Sequence, residues 1–307
     1  MERVLGWLAR GVMFGFSLLS LEMAARCGRA FGFLAWVVDK RHRRVALANV
    51  EASRDLLGLD IPTKVFVRKH FMRIGENFAS GLRGILMEHS EIEKRMEFQG
   101  LTELQAHIQE KQPKNLVFAI GHFGAFELYA FCTKALDGYQ RMGTYRALKP
   151  PSVNAVLQSC RERTGLLYWE RRLDAFTLRS ALDKGRVALG LLCDQNASDR
   201  GVKGTFLRRP ASTSTAPAVL AHRYDADLFT VVCHQVDIGR WRFDIEGPIV
   251  TRDSGERRSV KEIMGDVNRV FETAIIKDPI NWFWVHNRWR AIPEAGRERF
   301  ERRGRNG

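Results

Sequence analysis

The stretch "NLVFAIGHFGAFELYA" (Asn115 to Ala130) decides the fold. Its first six residues, Asn115 to Ile120, form an apolar run of strand length. A short apolar run followed by turn residues suits a strand buried on both faces. Gly121-His122-Phe123-Gly124 come next, and an apolar pattern at helical spacing begins at Ala125. A buried strand that turns directly into a helix is the start of an α/β unit. His122 and Glu127, the polar pair of this turn, are five residues apart. On one continuous helix they would not share a face, since surface neighbours are three and four apart. With His122 in the turn and Glu127 in the first helical turn, the two can meet. Gly121 and Gly124 permit the tight turn and let backbone N–H groups approach a ligand.

The same alternation continues outward. "QRMGTYRAL" (Gln140 to Leu148) reads as a second strand. "PSVNAVLQSCRERTG" reads as a helix with Pro151 near its start and Gly165 at its end. "DAFTLRSALDKG" is a helix capped by Asp174, with Gly185 after it. "RVALGLLCDQN" is a buried strand ending in Asp194, Gln195 and Asn196. "TAPAVLAHRYDA" is a helix, "DLFTVVCHQV" a strand, "RWRFDIEG" an edge strand, and "RRSVKEIMGDVNRVFETAIIKD" a long helix. Residues 45 to 90 read as helices, from apolar residues at three and four spacing. The predicted class is α/β, with a mixed, partly parallel sheet flanked by helices. Three parts are expected: an N-terminal membrane-associating helical segment over 1–44, an α/β domain over 45–292, and a charged tail over 293–307.

The chain has 307 residues, enough for a sizeable buried core. With 45 % hydrophobic residues and mean hydropathy −0.25, the composition does not fit a polytopic membrane protein. Net charge is +14 and the pI about 10.0, which favours acidic partners. No zinc-finger spacing, basic-zipper pattern or RNA-binding signature is present, so nucleic acid is not expected. Anionic lipid and an acidic protein remain. The five cysteines are dispersed, with no C-x-x-C pair, and are expected to be reduced.

"WLARGVMFGFSLLSLEMAARCGRAFGFLAWVV" (Trp7 to Val38) is apolar but interrupted. Its longest uncharged run, Gly11 to Leu21, is shorter than the roughly 20 residues a span needs. Glu22, Arg26 and Arg29 break the pattern, while Trp7, Phe14, Phe16, Phe31, Phe33 and Trp36 suit a helix lying in an interface. The basic cluster "DKRHRR" (Asp39 to Arg44) would meet anionic headgroups. A signal peptide is disfavoured, because "AARCGRA" puts arginines where cleavage wants small neutral residues. An ordinary pair of core helices is the other reading.

Two strands thus end in polar clusters, at His122 and at Asp194, both on the edge where open α/β sheets bind ligands. A histidine oriented by a carboxylate suits a general base acting on a hydroxyl. The same residues also suit a histidine hydrogen-bonded in a turn, with Glu127 as a cap. "GHFGAFE" resembles the H-x-x-x-x-E motif of the lipid A late acyltransferases, the lauroyl and myristoyl transferases of the Kdo-lipid A pathway. "TYRALKPPSVN", "LLCDQNASDRGVKGTFLRRPASTSTAPAVLA" and "NWFWVHNRWR" resemble further segments of that family in the same order, over about residues 5 to 290. Phe206-Leu207-Arg208 replaces an aromatic "FFG", and Asn196 stands where many members have aspartate.

The resemblance implies a glycerolipid acyltransferase-like fold at the cytoplasmic face of a bacterial inner membrane. It implies an acyl donor on acyl carrier protein, a glycolipid acceptor such as a lipid A precursor, and neither metal nor cofactor beyond the acyl thioester. His122 would be the base and Glu127 its orienting carboxylate. Arg146 and Arg161, with Arg163 a weaker candidate, would serve an acceptor phosphate or the oxyanion, and Asp194 and Gln195 would shape the site. His286, Arg288 and Trp289 match the closing motif and are expected to be structural. Phe123, Phe126 and the surroundings of Phe206 are expected to form an acyl groove. Other readings are a different acceptor, such as a phosphatidylinositol mannoside or a lysophospholipid acylated from acyl coenzyme A. A membrane-binding protein without turnover is a further one, against which the presence of His122 and Glu127 speaks.

Overall fold

The structure is a computed structural model that describes residues 2–110, 114–132, 136–145, 147–170 and 175–290. Arg146, the expected cap Asp174 and the tail from 293 onward lie outside the described residues.

The first half is helical: α1 (Glu2–Ser17), α2 (Leu21–Val38), α3 (Lys40–Glu51), α4 (Arg54–Leu57), α5 (Thr63–Ile85) and α6 (His89–Glu93). Then β1 (Met96–Gln99), α7 (Leu101–Glu110), β2 (Leu116–Ile120), β3 (Gln140–Tyr145), α8 (Pro151–Glu162), β4 (Leu167–Glu170), α9 (Ala175–Lys184) and β5 (Val187–Leu192) follow. The chain continues through β6 (Val202–Phe206), β7 (Arg209–Thr213), α10 (Ala216–Arg223), β8 (Asp227–Asp237), β9 (Arg240–Ile249), the short β10 (Arg252–Asp253) and β11 (Glu256–Arg257), and α11 (Val260–Lys277).

One seven-stranded sheet has the order β1-β9-β8-β2-β5-β3-β4. All its pairings are parallel except β8 with β9. The expected mixed, partly parallel sheet is therefore present. "RWRFDIEG" is not an edge strand, however, because β9 lies between β8 and β1. The true edges, β1 and β4, have only four residues each, too few to show a period. The expected helix after His122 is a short 3-10 turn, Phe126–Phe131.

Side chains alternate across the sheet, as strand geometry requires. Val117, Ala119, Leu189 and Leu191 pack on the face with α10 and α11, in a core that includes Val267 and Phe271. Leu116, Phe118 and Ala188 belong to the opposite face, with Leu128 and Phe131 of the 3-10 turn. Both faces are covered, which is why these strands read as continuous apolar runs.

The N-terminal helices differ from each other. A Cβ on Gly28 or Gly32 of α2 would strike the Gly75 and Phe71 carbonyls of α5, so these two helices meet backbone to backbone. Helix α3 runs across the expected boundary at residue 44. Helix α1 buries only Gly6, while its Trp7 and Phe14, and Leu18 just after it, are about 70 % exposed. Among the described residues no helix is long and apolar enough to cross a membrane.

Candidate active site

The site grows from the two strand ends identified in the sequence. Strands β2 and β5 are adjacent, with Ile120 opposite Leu192. His122 and Asp194 each lie two residues further on, so the register brings them side by side. The intervening turn admits only glycine at two points. A Cβ on Gly121 would lie 2.5 Å from the Phe123 ring. Gly124 has φ +53°, and a Cβ there would lie 2.7 Å from the Cys233 carbonyl oxygen.

Asp194 Oδ1 lies 2.7 Å from His122 Nδ1, and Oδ2 accepts the His122 backbone N–H at 2.9 Å. Oδ2 also accepts the Trp282 indole N–H at 2.8 Å. A carboxylate accepts only, so the Nδ1 position carries the ring proton and Nε2 is left as the acceptor. Gln195 Nε2 sits 3.3 Å from that nitrogen. Phe126 meets the imidazole edge-on and Phe283 stacks on it, at centroid distances of 5.1 and 5.8 Å. Asp194 is buried, and burial alone would raise its pKa. The adjacent His122 and the donated N–H groups outweigh this and hold the carboxyl below its ordinary value.

Glu127 does not provide the carboxylate on His122. Its Oε2 accepts Arg161 Nε at 3.0 Å, and its Oε1 accepts Nη2 of the same guanidinium. The physical reason is that β5 delivers Asp194 to the imidazole first, while the 3-10 turn presents Glu127 to α8. Arg161 lies over the Tyr168 and Tyr145 rings at 5.3 and 5.9 Å. Burial lowers the Arg161 pKa, but the bonded Glu127 more than offsets it and the net direction is upward. Arg163 is exposed, at the C-cap of α8.

These groups line a cavity of about 940 Å³ that contains His122, Glu127, Arg161, Gln195, Arg200 and His286 in its wall. Its floor is the α8-side face of the sheet, including Phe118, Ile120, Gly143, Gly190 and Leu192. Phe126 lines it as expected, but Phe123 and Phe206 do not. Phe123 packs on Phe271 in the opposite core, and Phe206 packs between Trp282 and Trp289.

The closing motif ties the strand ends together. Asn281 accepts Gly124 N–H at 3.1 Å and donates to the Cys233 carbonyl at 2.7 Å. His286 Nε2 accepts the Asn196 N–H at 3.0 Å, and burial lowers the His286 pKa, so the ring is a neutral acceptor. Arg288 is fully buried. It donates to Thr213 Oγ1 at 2.7 Å, to the Ser212 carbonyl and to the Gln195 carbonyl at 3.5 Å. Burial in this set of neutral acceptors lowers its pKa to about 10. Trp289 donates to the Phe206 carbonyl at 3.0 Å. The contact between Trp282 and Asp194 was not anticipated from the sequence. An aromatic-rich segment far along the chain carries no spacing signal for such a bond.

Among the described residues no group of three or more His, Cys, Asp or Glu side chains could hold a metal ion. No curated protein matches the chain. The family model for the bacterial lipid A biosynthesis acyltransferases matches residues 1–291. With nearly its whole length inside that match, and with His122 and Glu127 of the histidine motif in the wall of a large cavity, the chain belongs to the bacterial lipid A biosynthesis acyltransferase family.

Proposed function

We propose that this acyltransferase moves a fatty acyl chain from acyl carrier protein to a hydroxyl of a lipid A precursor or related glycolipid, with His122 as the general base. The observation that carries this reading is the buried Asp194 carboxylate on Nδ1, which leaves Nε2 as the proton-accepting nitrogen at the cavity wall, with the Gln195 amide 3.3 Å away. The acceptor hydroxyl gives its proton to Nε2 as its oxygen attacks the thioester carbon. The carbonyl electron pair moves onto oxygen, giving a tetrahedral oxyanion. Its collapse breaks the C–S bond, and the leaving thiolate takes the proton back from Nε2. Asp194 stabilises the imidazolium that exists between these two transfers.

Among the donors of the cavity wall, the Gln195 amide lies against His122, and the Arg161 guanidinium stands in the same wall. Both suit the oxyanion or an acceptor phosphate. Glu127 then acts by holding Arg161 in place, not by touching the imidazole. The acyl chain would lie along the apolar floor formed by Phe118, Ile120 and Leu192.

The exposed apolar residues of α1 and α2, with exposed Lys40, Arg41 and Arg44 at the start of α3, suit the anionic cytoplasmic surface of the inner membrane. The net charge of +14 favours the acidic carrier protein as donor. The test is acyl transfer to a lipid A precursor with the same chain presented on acyl carrier protein and on coenzyme A. Turnover with the carrier-bound donor supports the reading. Transfer from coenzyme A alone, or to a lysophospholipid alone, would replace it.

A further inference from the structure

The closing segment Asn281 to Arg288 touches both halves of the catalytic pair. Its backbone bridges Phe123 and takes the Gly124 N–H, and so braces the turn that carries His122. Its Trp282 side chain reaches Asp194. Two N–H groups, from Trp282 and from the His122 backbone, therefore occupy Asp194 Oδ2, and Oδ1 alone faces Nδ1. We propose that Trp282 is a positioning residue for the acyl transfer proposed above, on which this inference rests, and that its indole N–H both fixes the Asp194 carboxylate and tempers its pull on His122.

Two consequences follow from one bond. Without the indole donor, Oδ2 keeps a single N–H, from the His122 backbone, so the carboxylate stays on Nδ1 but loses its tie to the Trp282 side chain. The charge that remains is also less shared. A carboxylate with fewer donors holds a neighbouring imidazolium more tightly, so His122 becomes harder to deprotonate. The neutral form that can accept a proton is then reached only at higher pH. The other groups facing the pair are His286 and Arg288 of the closing segment, Cys193 after β5, Tyr129 in the 3-10 turn, and Glu127 with Arg161 across the cavity. Replacing Trp282 alone leaves all of them in place, so a shift is assigned to the lost N–H.

The test is Trp282→Phe in the full-length protein, with two readouts. Nitrogen-15 NMR follows the protonation of the His122 ring without any turnover. The pH profile of kcat/KM follows the same event in catalysis. Both midpoints should move up by about 0.5–1 unit, and kcat should fall by about tenfold. A ring that titrates as in the wild type overturns the inference, even if activity falls. So does wild-type activity. If the phenyl ring leaves too large a gap for folding, benzothienylalanine at position 282 keeps the shape without the N–H and must give the same shift. Because the NMR arm needs no substrate, failure of the proposed reaction would show as absent turnover with the ring shift still present.

Discussion

His122 and Asp194 stand two residues beyond Ile120 and Leu192, which are register partners on adjacent parallel strands, and their side chains meet at 2.7 Å. The pairing is thus a property of the sheet. The Asp194 carboxyl is held below its ordinary pKa, which links the pair to stability as well as to catalysis. A depressed carboxylate contributes stability that is present above its unfolded value, about 3.9, and is lost as pH falls through the folded one. Asp194→Asn should therefore flatten the acid side of the curve of Tm against pH. It should also cut turnover by about a hundredfold or more, since the amide cannot support the imidazolium. Thermal melts across the acid range and carrier-dependent turnover check both.

The Glu127–Arg161 pair makes a different prediction. With one partner removed, the other is a charge left with 13 % of its side chain exposed and no bonded counter-ion from this pair. Glu127→Gln should raise KM for the lipid acceptor more than it moves the acid limb of the pH profile, because Glu127 does not touch the imidazole. Arg161→Lys should not restore the wild type, since a lysine cannot make the two-pronged contact. A Glu127→Gln profile displaced like that of Asp194→Asn would return Glu127 to the imidazole.

Chain length should be set by the cavity floor. Gly143 and Gly190 are register partners in a row that runs from Phe118 to Tyr168. A Cβ on Gly190 would meet only Ile120 Cδ1 at 3.6 Å and the Met142 carbonyl at 3.8 Å, so no backbone contact there requires glycine. Gly190→Val should raise this floor and shorten the preferred acyl chain. Each excluded methylene is worth about 0.8 kcal/mol, or about fourfold in kcat/KM. Turnover of donors of graded length reads the shift, and an unchanged profile in a folded variant would put the chain elsewhere.

Salt should weaken the donor more than the chemistry. The Debye length falls from about 10 Å at 0.1 M to about 3 Å at 1 M, so KM for a carrier-bound donor should rise across that range. A flat KM would remove electrostatic docking as the use of the +14 charge.

The long buried strands β2, β5 and β8 were legible because each is an apolar run covered on both faces. Their polar ends were legible as one sheet edge. Strand order was not, since nothing local to "RWRFDIEG" reveals that β1, far earlier in the chain, pairs along its free side. The same limit misassigned the carboxylate. Five-residue spacing pointed to Glu127, but adjacency of β2 and β5 gives Nδ1 to Asp194 instead. The short 3-10 turn in place of a full helix then leaves Glu127 directed at Arg161.

The central claim is that His122 removes the acceptor proton, and turnover of His122→Ala tests it most directly. His122 lies in a turn beyond β2, and without its ring Asp194 still accepts the backbone N–H of residue 122 and the Trp282 N–H, so the variant should fold, as circular dichroism would verify. Its rate of transfer from the carrier-bound thioester to the lipid acceptor should fall by about 10²- to 10⁴-fold. The double variant with Asp194→Asn should be little worse, because residues acting as one unit are not additive. A folded His122→Ala protein that turns over at close to the wild-type rate would contradict the account.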